Sequence, residues 1–361
     1  MGSKIKKRNG SIDFWKFIFS ILILVFHGRN LAEKGENMFG GYIGVEFFFI
    51  VSGIFMAASE ERSAGKKGSL GQDTFLFMKK KLLGLMPNIY VAWMIGFFVE
   101  HIGEFSFRGM LKDGMDSVWE LLFISEAGFF GYKANAVTWY ISAMLLAMFL
   151  IFPIMRKYGK EFYFIIAPLM LIFLMGITNH EWGNYRAPHA WVGYFYKSFI
   201  RAVMGITFGC LCYKAGAKVR EVHYTNVGKV LFTFVEWSGY GAVIAWTFNH
   251  KGSKTDWILV LLLAISIVVS FSQVSLTDNY FSSHQFVSKL GEFSFSLFLG
   301  HGYWSHKMKF LFPNLNYIQR LPIYITISFV TGIIIMLVSI GLKNWWARSG
   351  TKFKKLFIEI G

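Results

Sequence analysis

Apolar runs close to the length that a helix needs to cross a bilayer recur along the whole chain, and no other feature limits its folding as much. A helix crosses about 30 Å of hydrocarbon with about 20 mostly apolar residues, and no water is present there to satisfy an open backbone. The runs fall at roughly 12–28, 40–59, 82–100, 137–155, 161–178, 196–213, 227–248, 256–275, 290–306 and 321–343. They predict an all-α, polytopic membrane protein with about ten transmembrane helices. Composition agrees: of 361 residues, 54% are hydrophobic and 16% charged, whereas soluble domains carry about 25% charged residues.

The formal charge of +16 raises the question of nucleic acid, but such binding needs a basic groove or stripe on a soluble fold. Here the basic residues gather in alternate loops instead. With the N-terminus placed in the cytoplasm, Lys and Arg in the inside segments outnumber those outside by about two to one. An even number of spans then puts both termini on the cytoplasmic side. Lys4, Lys6, Lys7 and Arg8 precede the first run as in a secretory signal, yet no small-x-small cleavage site follows His27, so the run is read as an uncleaved span. No linker, low-complexity tract or fixed-period repeat divides the chain, and 1–361 is expected to be one membrane domain. The segment 101–136 mixes glycines, charges and a short apolar patch, and is expected outside as an amphipathic or re-entrant element. Cys210 and Cys212 are two residues apart and point to different sides of a helix, which excludes a disulfide framework.

Polar residues inside the runs carry the functional signal. In "DFWKFIFSILILVFHGRN", Asp13 to Asn30, the eleven steps from Lys16 to His27 turn a helix by about 1100°, three turns plus roughly 20°, and rise about 16 Å. Lys16 and His27 therefore share a face, with Asp13 and Ser20 near it at i−3 and i+4 from Lys16. One reading has Lys16 snorkelling to the interface, paired with Asp13, and His27 among headgroups. The other is a polar stripe facing a cavity, since ionisable residues within a membrane usually mark a path or a reaction site. Glu46, near the external end of the second run, lies close in depth to His27. A carboxylate beside a histidine fixes its tautomer and supports it as a general base, although a Glu at a helix end can also simply face water. Ser52 and Gly53 suit close helix packing.

Trp139 and Tyr140 open "TWYISAMLLAMFLIFP" at an outer interface, where an aromatic belt accounts for them equally well. His301, late in "LGEFSFSLFLGHGYW", either reaches the cavity of His27 or is interfacial. Lys79, Lys80 and Lys81 fit a positive-inside marker or an anionic-lipid contact, and would also suit a phosphate-rich cosubstrate on the cytoplasmic face.

Taken in order, these segments resemble the acyltransferase 3 family of bacterial membrane proteins, which move acyl groups from acyl-CoA onto cell-surface sugars. Lys16 and His27 match its pattern of Arg or Lys, ten residues, then His. "GVEFFFIVSG" (44–53) resembles its second helix, "TWYISAMLLAMFLIFP" its mid-chain Trp segment closed by Pro, and "FSFSLFLGH" its late Ser-x-x-Leu-Tyr-Leu-x-His segment. The resemblance implies ten helices, His27 as the catalytic histidine, Lys16 as its basic partner and Glu46 in the acidic place. It also implies acyl-CoA, acetyl-CoA in the first instance, as cosubstrate, no tightly bound cofactor or metal, and a place in the bacterial cell membrane. Two departures stand out. Where members often carry Arg-x-x-Arg before the Pro of the third helix, this chain has Lys81 and Gly84 before Pro87. Some members have a Glu after the mid-chain Trp, and this chain has Ile141-Ser142-Ala143.

The expected activity is O-acyl transfer from cytoplasmic acyl-CoA to a hydroxyl of a surface polysaccharide or lipid-linked sugar. His27 and Glu46 act with Lys16 at the reaction centre, while Asp13, Ser20, Lys79, Lys80, Lys81, Trp139, Tyr140 and His301 contact the substrates. Direct transfer and a transient acyl-histidine are both open. No Gly-x-Ser-x-Gly elbow occurs, so a serine nucleophile is not indicated. The alternative is a transporter or ligand sensor, in which Lys16, Glu46, Arg201 and Glu236 bind a small anion or a proton.

Overall fold

The computed structural model describes residues 8–32, 40–63, 68–103, 106–129, 131–181, 183–186, 188–249 and 252–359. The basic residues Lys4, Lys6 and Lys7 lie outside them. Among the described residues the fold is all-α apart from one short hairpin. Helix α1 spans Gly10–Gly28, α2 Gly44–Ser63, α3 Leu70–Glu100, α4 Phe107–Asp116, α5 Val118–Leu121, α6 Trp139–Tyr158 and α7 Ala167–Glu181. The hairpin pairs β1, Trp191–Val192, with β2, Phe195–Tyr196. Then follow α8 Lys197–Glu221, α9 Asn226–Asn249, α10 Asp256–Ser272, α11 Leu276–Phe281, α12 Gln285–Gly300, α13 Gly302–Leu311 and α14 Tyr317–Glu359.

Among the described residues, 6 helical segments are long and apolar enough to cross a membrane: Gly10–Leu31, Gly41–Ser63, Leu70–Glu100, Ala136–Tyr158, Phe162–Glu181 and Tyr317–Ser349. The remaining expected spans also fall on helices, carried by α8, α9, α10 and α12. The ninth run, 290–306, is not one continuous helix. It breaks at His301, between α12 and α13, where Gly300 and Gly302 flank the histidine and weaken the local preference for helix. Large apolar side chains face outward on the long helices, among them Phe98, Phe149, Phe173, Phe234 and Leu337. Such a surface suits lipid and not water; the chain is a multi-pass membrane protein.

Polar caps start the helices. The Asn9 side chain accepts from the Ile12 amide, 2.9 Å, at the head of α1, and Ser69 accepts from Gln72 at the head of α3. Inside the bundle, α2 runs against α8 at a distance that only glycine permits. A Cβ on Gly53 would lie 2.1 Å from the Ile206 carbonyl oxygen, and one on Gly209 would lie 2.0 Å from that of Ile50. Helix α1 runs along α12 in turn, joined where the Ser20 hydroxyl donates to the Ser294 carbonyl at 3.0 Å. These two pairings set the site: one brings Glu46 to Arg201, the other brings His27 to His301.

The segment 101–136 contains α4, which is amphipathic. Phe107, Leu111 and Met115 recur every fourth residue and are all exposed, forming an apolar edge. Below it, Glu120 of α5 is buried, accepting from the Thr138 hydroxyl at 3.2 Å and the Ala134 amide at 3.4 Å. Burial pushes its carboxyl up to about 8 despite those donors.

Candidate active site

His27 sits in the last turn of α1, half-buried, on the wall of a cavity of about 590 Å³ that it shares with Arg29, Trp139, Tyr185, Arg186 and Arg201. Its imidazole faces that of His301, ring centroids 5.0 Å apart at an interplanar angle of 53°. His301 is fully buried, with neither ring nitrogen hydrogen-bonded to another side chain, and its ring lies 5.8 Å from that of Phe298. An imidazole on a cavity wall, desolvated on one side and open on the other, can exchange a proton with a hydroxyl placed in that cavity.

Glu46 is not beside His27 as expected. Its carboxylate accepts a hydrogen bond from Arg201 Nε at 2.8 Å, with Nη2 at an ion-pair distance of 2.6 Å, and both side chains are almost wholly buried. The glycine-mediated approach of α2 and α8 creates that pairing. A buried carboxylate needs a permanent counter-charge more than it needs an imidazole, which can remain neutral. The Arg201 guanidinium also lies 5.3 Å from the ring centre of Trp139 and 5.8 Å from that of Tyr185. Glu46 thus fixes Arg201 at the cavity that His27 borders, and Trp139 belongs to that same cavity.

A second cavity, of about 300 Å³, lies toward the start of α1 and is lined by Arg8, Lys16, Lys81, Ser52 and Tyr140. Lys16 donates to Asp13 at 2.9 Å, and Arg8 bridges Asp13 and Glu292. The Ser52 and Tyr140 hydroxyls are 3.2 Å apart. Lys81 alone of the three consecutive lysines lines this space. Lys79 and Lys80 are exposed, and the Lys79 ammonium lies 6.0 Å from the Phe75 ring. Asp13 and Ser20 do not line it either: Asp13 anchors Lys16 and Arg8, and Ser20 ties α1 to α12. Phe298 borders both cavities, 5.6 Å from the Tyr140 ring and 6.1 Å from Phe48. Phe298 is the residue common to both linings.

Reasoning from the sequence did not single out Phe298, Arg29, Arg186 or Arg8, and it had Arg201 only in the transporter reading. Arg29, two residues beyond His27, was open to notice as the next charge on the same helix end; Arg186 and Phe298 carry no such signal. Glu236, the other charge of that reading, lies elsewhere. It accepts from Ser11, from Trp15 at 3.1 Å and from Ser270 at 2.8 Å, a buried network that ties α1, α9 and α10 together. Cys210 and Cys212 are buried free thiols.

Compared with known proteins, residues 9–341 match the family described as the acyltransferase domain, nearly the whole chain. No curated protein and no solved structure matches at a significant level.

Proposed function

We propose, from the premise that this chain belongs to the acyltransferase-domain family, that it is an O-acyltransferase using acyl-CoA, most simply acetyl-CoA, to esterify a hydroxyl of a cell-surface polysaccharide or lipid-linked sugar. The observation that carries the reading is the pair of cavities meeting at Phe298, one with three cations and the other with His27. Lys16, Lys81 and Arg8 are suited to the phosphates of the donor, whose pantetheine arm is long and slender enough to reach past Phe298. The acceptor hydroxyl gives its proton to His27 while its oxygen attacks the thioester carbonyl. The carbon–sulfur bond breaks, and the departing thiolate takes a proton back. General-base help of this kind is typically worth about 10² to 10⁴ in rate. His301 positions the His27 ring, and Glu46 acts at one remove, by fixing Arg201.

In this reading the protein lies in the bacterial cell membrane, both termini and the Lys16 cavity facing the cytoplasm, and the His27 cavity facing outward. The transporter reading draws less support, because Lys16, Glu46 and Glu236 are held in three separate networks. The test is release of free CoA thiol from acetyl-CoA by purified protein in detergent, paired with mass spectrometry of surface glycans from a deletion strain. The reading predicts thiol release above the protein-free rate and loss of acetyl mass from one glycan. Absence of both thiol release and any change in glycan mass would contradict it.

A further inference from the structure

Helix α7 is loosely seated in the bundle. In the segment Phe162–Glu181 only 17% of the apolar stretch is buried, the lowest share among the 6 segments that can cross a membrane. Between α7 and α8 runs an open groove of about 670 Å³, and every described residue that lines it is apolar. Ile165, Leu169, Phe173 and Ile177, four residues apart and all exposed, form one wall. From Ile165 to Ile177 a helix rises about 18 Å, a little over half of the hydrocarbon thickness. Phe199 and Val203 of α8 contribute the other wall. The result is a slot of the length and polarity of one lipid chain.

The groove and the His27 cavity stand on two sides of the same turn of α8. Ile200 lines the groove, and Arg201, the next residue, lines the cavity. The segment that leads into this turn borders both spaces as well: Pro188 lines the cavity, while Val192 and Phe195 of the hairpin line the groove. The Ser198 amide donates to the Pro188 carbonyl at 2.9 Å, which pins that segment to the head of α8. Around the hairpin tip, Trp191, Tyr194 and Phe195 are exposed. Trp and Tyr collect where hydrocarbon meets water, so the hairpin marks the level of the lipid headgroups. A chain lying in the groove carries its polar head to that level, beside the cavity that His27 borders.

We infer that the acceptor is a sugar carried on a long hydrocarbon chain: the chain lies between α7 and α8, and the sugar reaches the His27 cavity around the start of α8. Lipid tails are as apolar as this groove, so a chain gains little by leaving the bilayer for it. Selectivity arises when one molecule fills both spaces, because a sugar held in the cavity keeps its own chain at a high local concentration. The cavity volume, about 590 Å³, suits a small headgroup. The inference rests on the acyl-transfer reading for the ligand's role as acceptor; the site for the chain does not depend on it.

Photolabelling of the full-length protein in phosphatidylcholine vesicles tests it. Two probes, hexadecyl glucoside and phosphatidylcholine, carry the same diazirine in mid-chain at equal mole fraction, and labelled peptides are mapped by mass. The expected result is that hexadecyl glucoside labels 165–177 and 199–203 at least about tenfold more than phosphatidylcholine does. Unlabelled hexadecyl glucoside is expected to suppress that signal, and Leu169→Trp, which fills the groove from an exposed position, to lower it. Equal labelling of the unaltered protein by the two probes would assign the groove to ordinary bilayer lipid, and preferential labelling by the glucoside at other helices would place its chain there. Either outcome overturns the inference, whatever the variant does. Transfer from acetyl-CoA, measured on the same vesicles, separates the two claims. Selective labelling of the groove without transfer leaves the chain site and removes the acyltransferase reading. Transfer that is as fast to methyl glucoside as to hexadecyl glucoside, without selective labelling, does the reverse.

Discussion

His27 and His301 stand ring to ring, centroids 5.0 Å apart, although they come from opposite ends of the chain. The α1–α12 packing holds them there, and His301 is buried behind His27 against Phe298. A ring held on one side turns less freely, so its proton-accepting nitrogen keeps a fixed direction. His301→Phe retains the contact with Phe298 and removes the imidazole. It is expected to lower kcat by up to about 10², the scale set by small misplacements of a reacting group, with little change in KM for acyl-CoA. Unchanged kcat would remove His301 from the account.

The Lys16 cavity discriminates among three consecutive lysines. Lys81 lines it with Lys16 and Arg8, whereas Lys79 and Lys80 are exposed. Lys81→Met and Lys16→Met are expected to raise KM for acyl-CoA roughly tenfold, as the loss of one charge-assisted phosphate contact would. Lys79→Met and Lys80→Met are expected to leave it within about twofold, as exposed charges interact weakly. Equal effects at all four positions would mean that the donor does not enter this cavity.

The Glu46–Arg201 pair predicts a stability pattern. Removing one partner leaves a buried charge alone, so Glu46→Ala or Arg201→Ala is expected to cost about 3–5 kcal/mol. A Glu46→Leu/Arg201→Met double variant is expected to recover most of it. Thermal unfolding in detergent measures this, and a double variant no more stable than either single one would show that the two charges are not coupled.

Glu120 gives the segment 101–136 a pH dependence. Its carboxyl is raised from an ordinary 4.5 to about 8, so it stays protonated in the folded segment while the unfolded chain ionises. The stability it supplies is whole below about 4.5 and is lost as pH rises through about 8. Hydrogen exchange across 107–138 is expected to quicken over that range beyond the intrinsic chemical rate. Glu120→Gln is expected to flatten the change. A wild-type segment as well protected at pH 9 as at pH 5 would contradict this.

Local residues made part of this legible in advance. The stripe from Asp13 to His27 follows from helical period alone, and the Ser52-Gly53 contact from the need for small residues where helices touch. What the linear chain hides is rotation and partner choice. Nothing in "MKKKLL" shows that Lys81 turns inward while Lys79 and Lys80 turn out, because the packing of α3 against its neighbours fixes that angle. Glu46 looked like a partner for His27 from depth alone. Its partner proved to be Arg201, brought there by glycines on two helices that are distant in sequence. The break at His301 was not read from the sequence, in which 290–306 stood as one run, although glycines flank the histidine.

The central claim is that His27 takes the proton from the acceptor hydroxyl, and His27→Ala tests it most directly. Acyl incorporation into surface glycan, measured in cells that express the variant at the wild-type level, is expected to fall by about 10² to 10⁴. Purified variant and wild-type protein are expected to unfold at similar temperatures and to bind acyl-CoA alike. Incorporation that persists at the wild-type rate, at equal expression, would contradict the account.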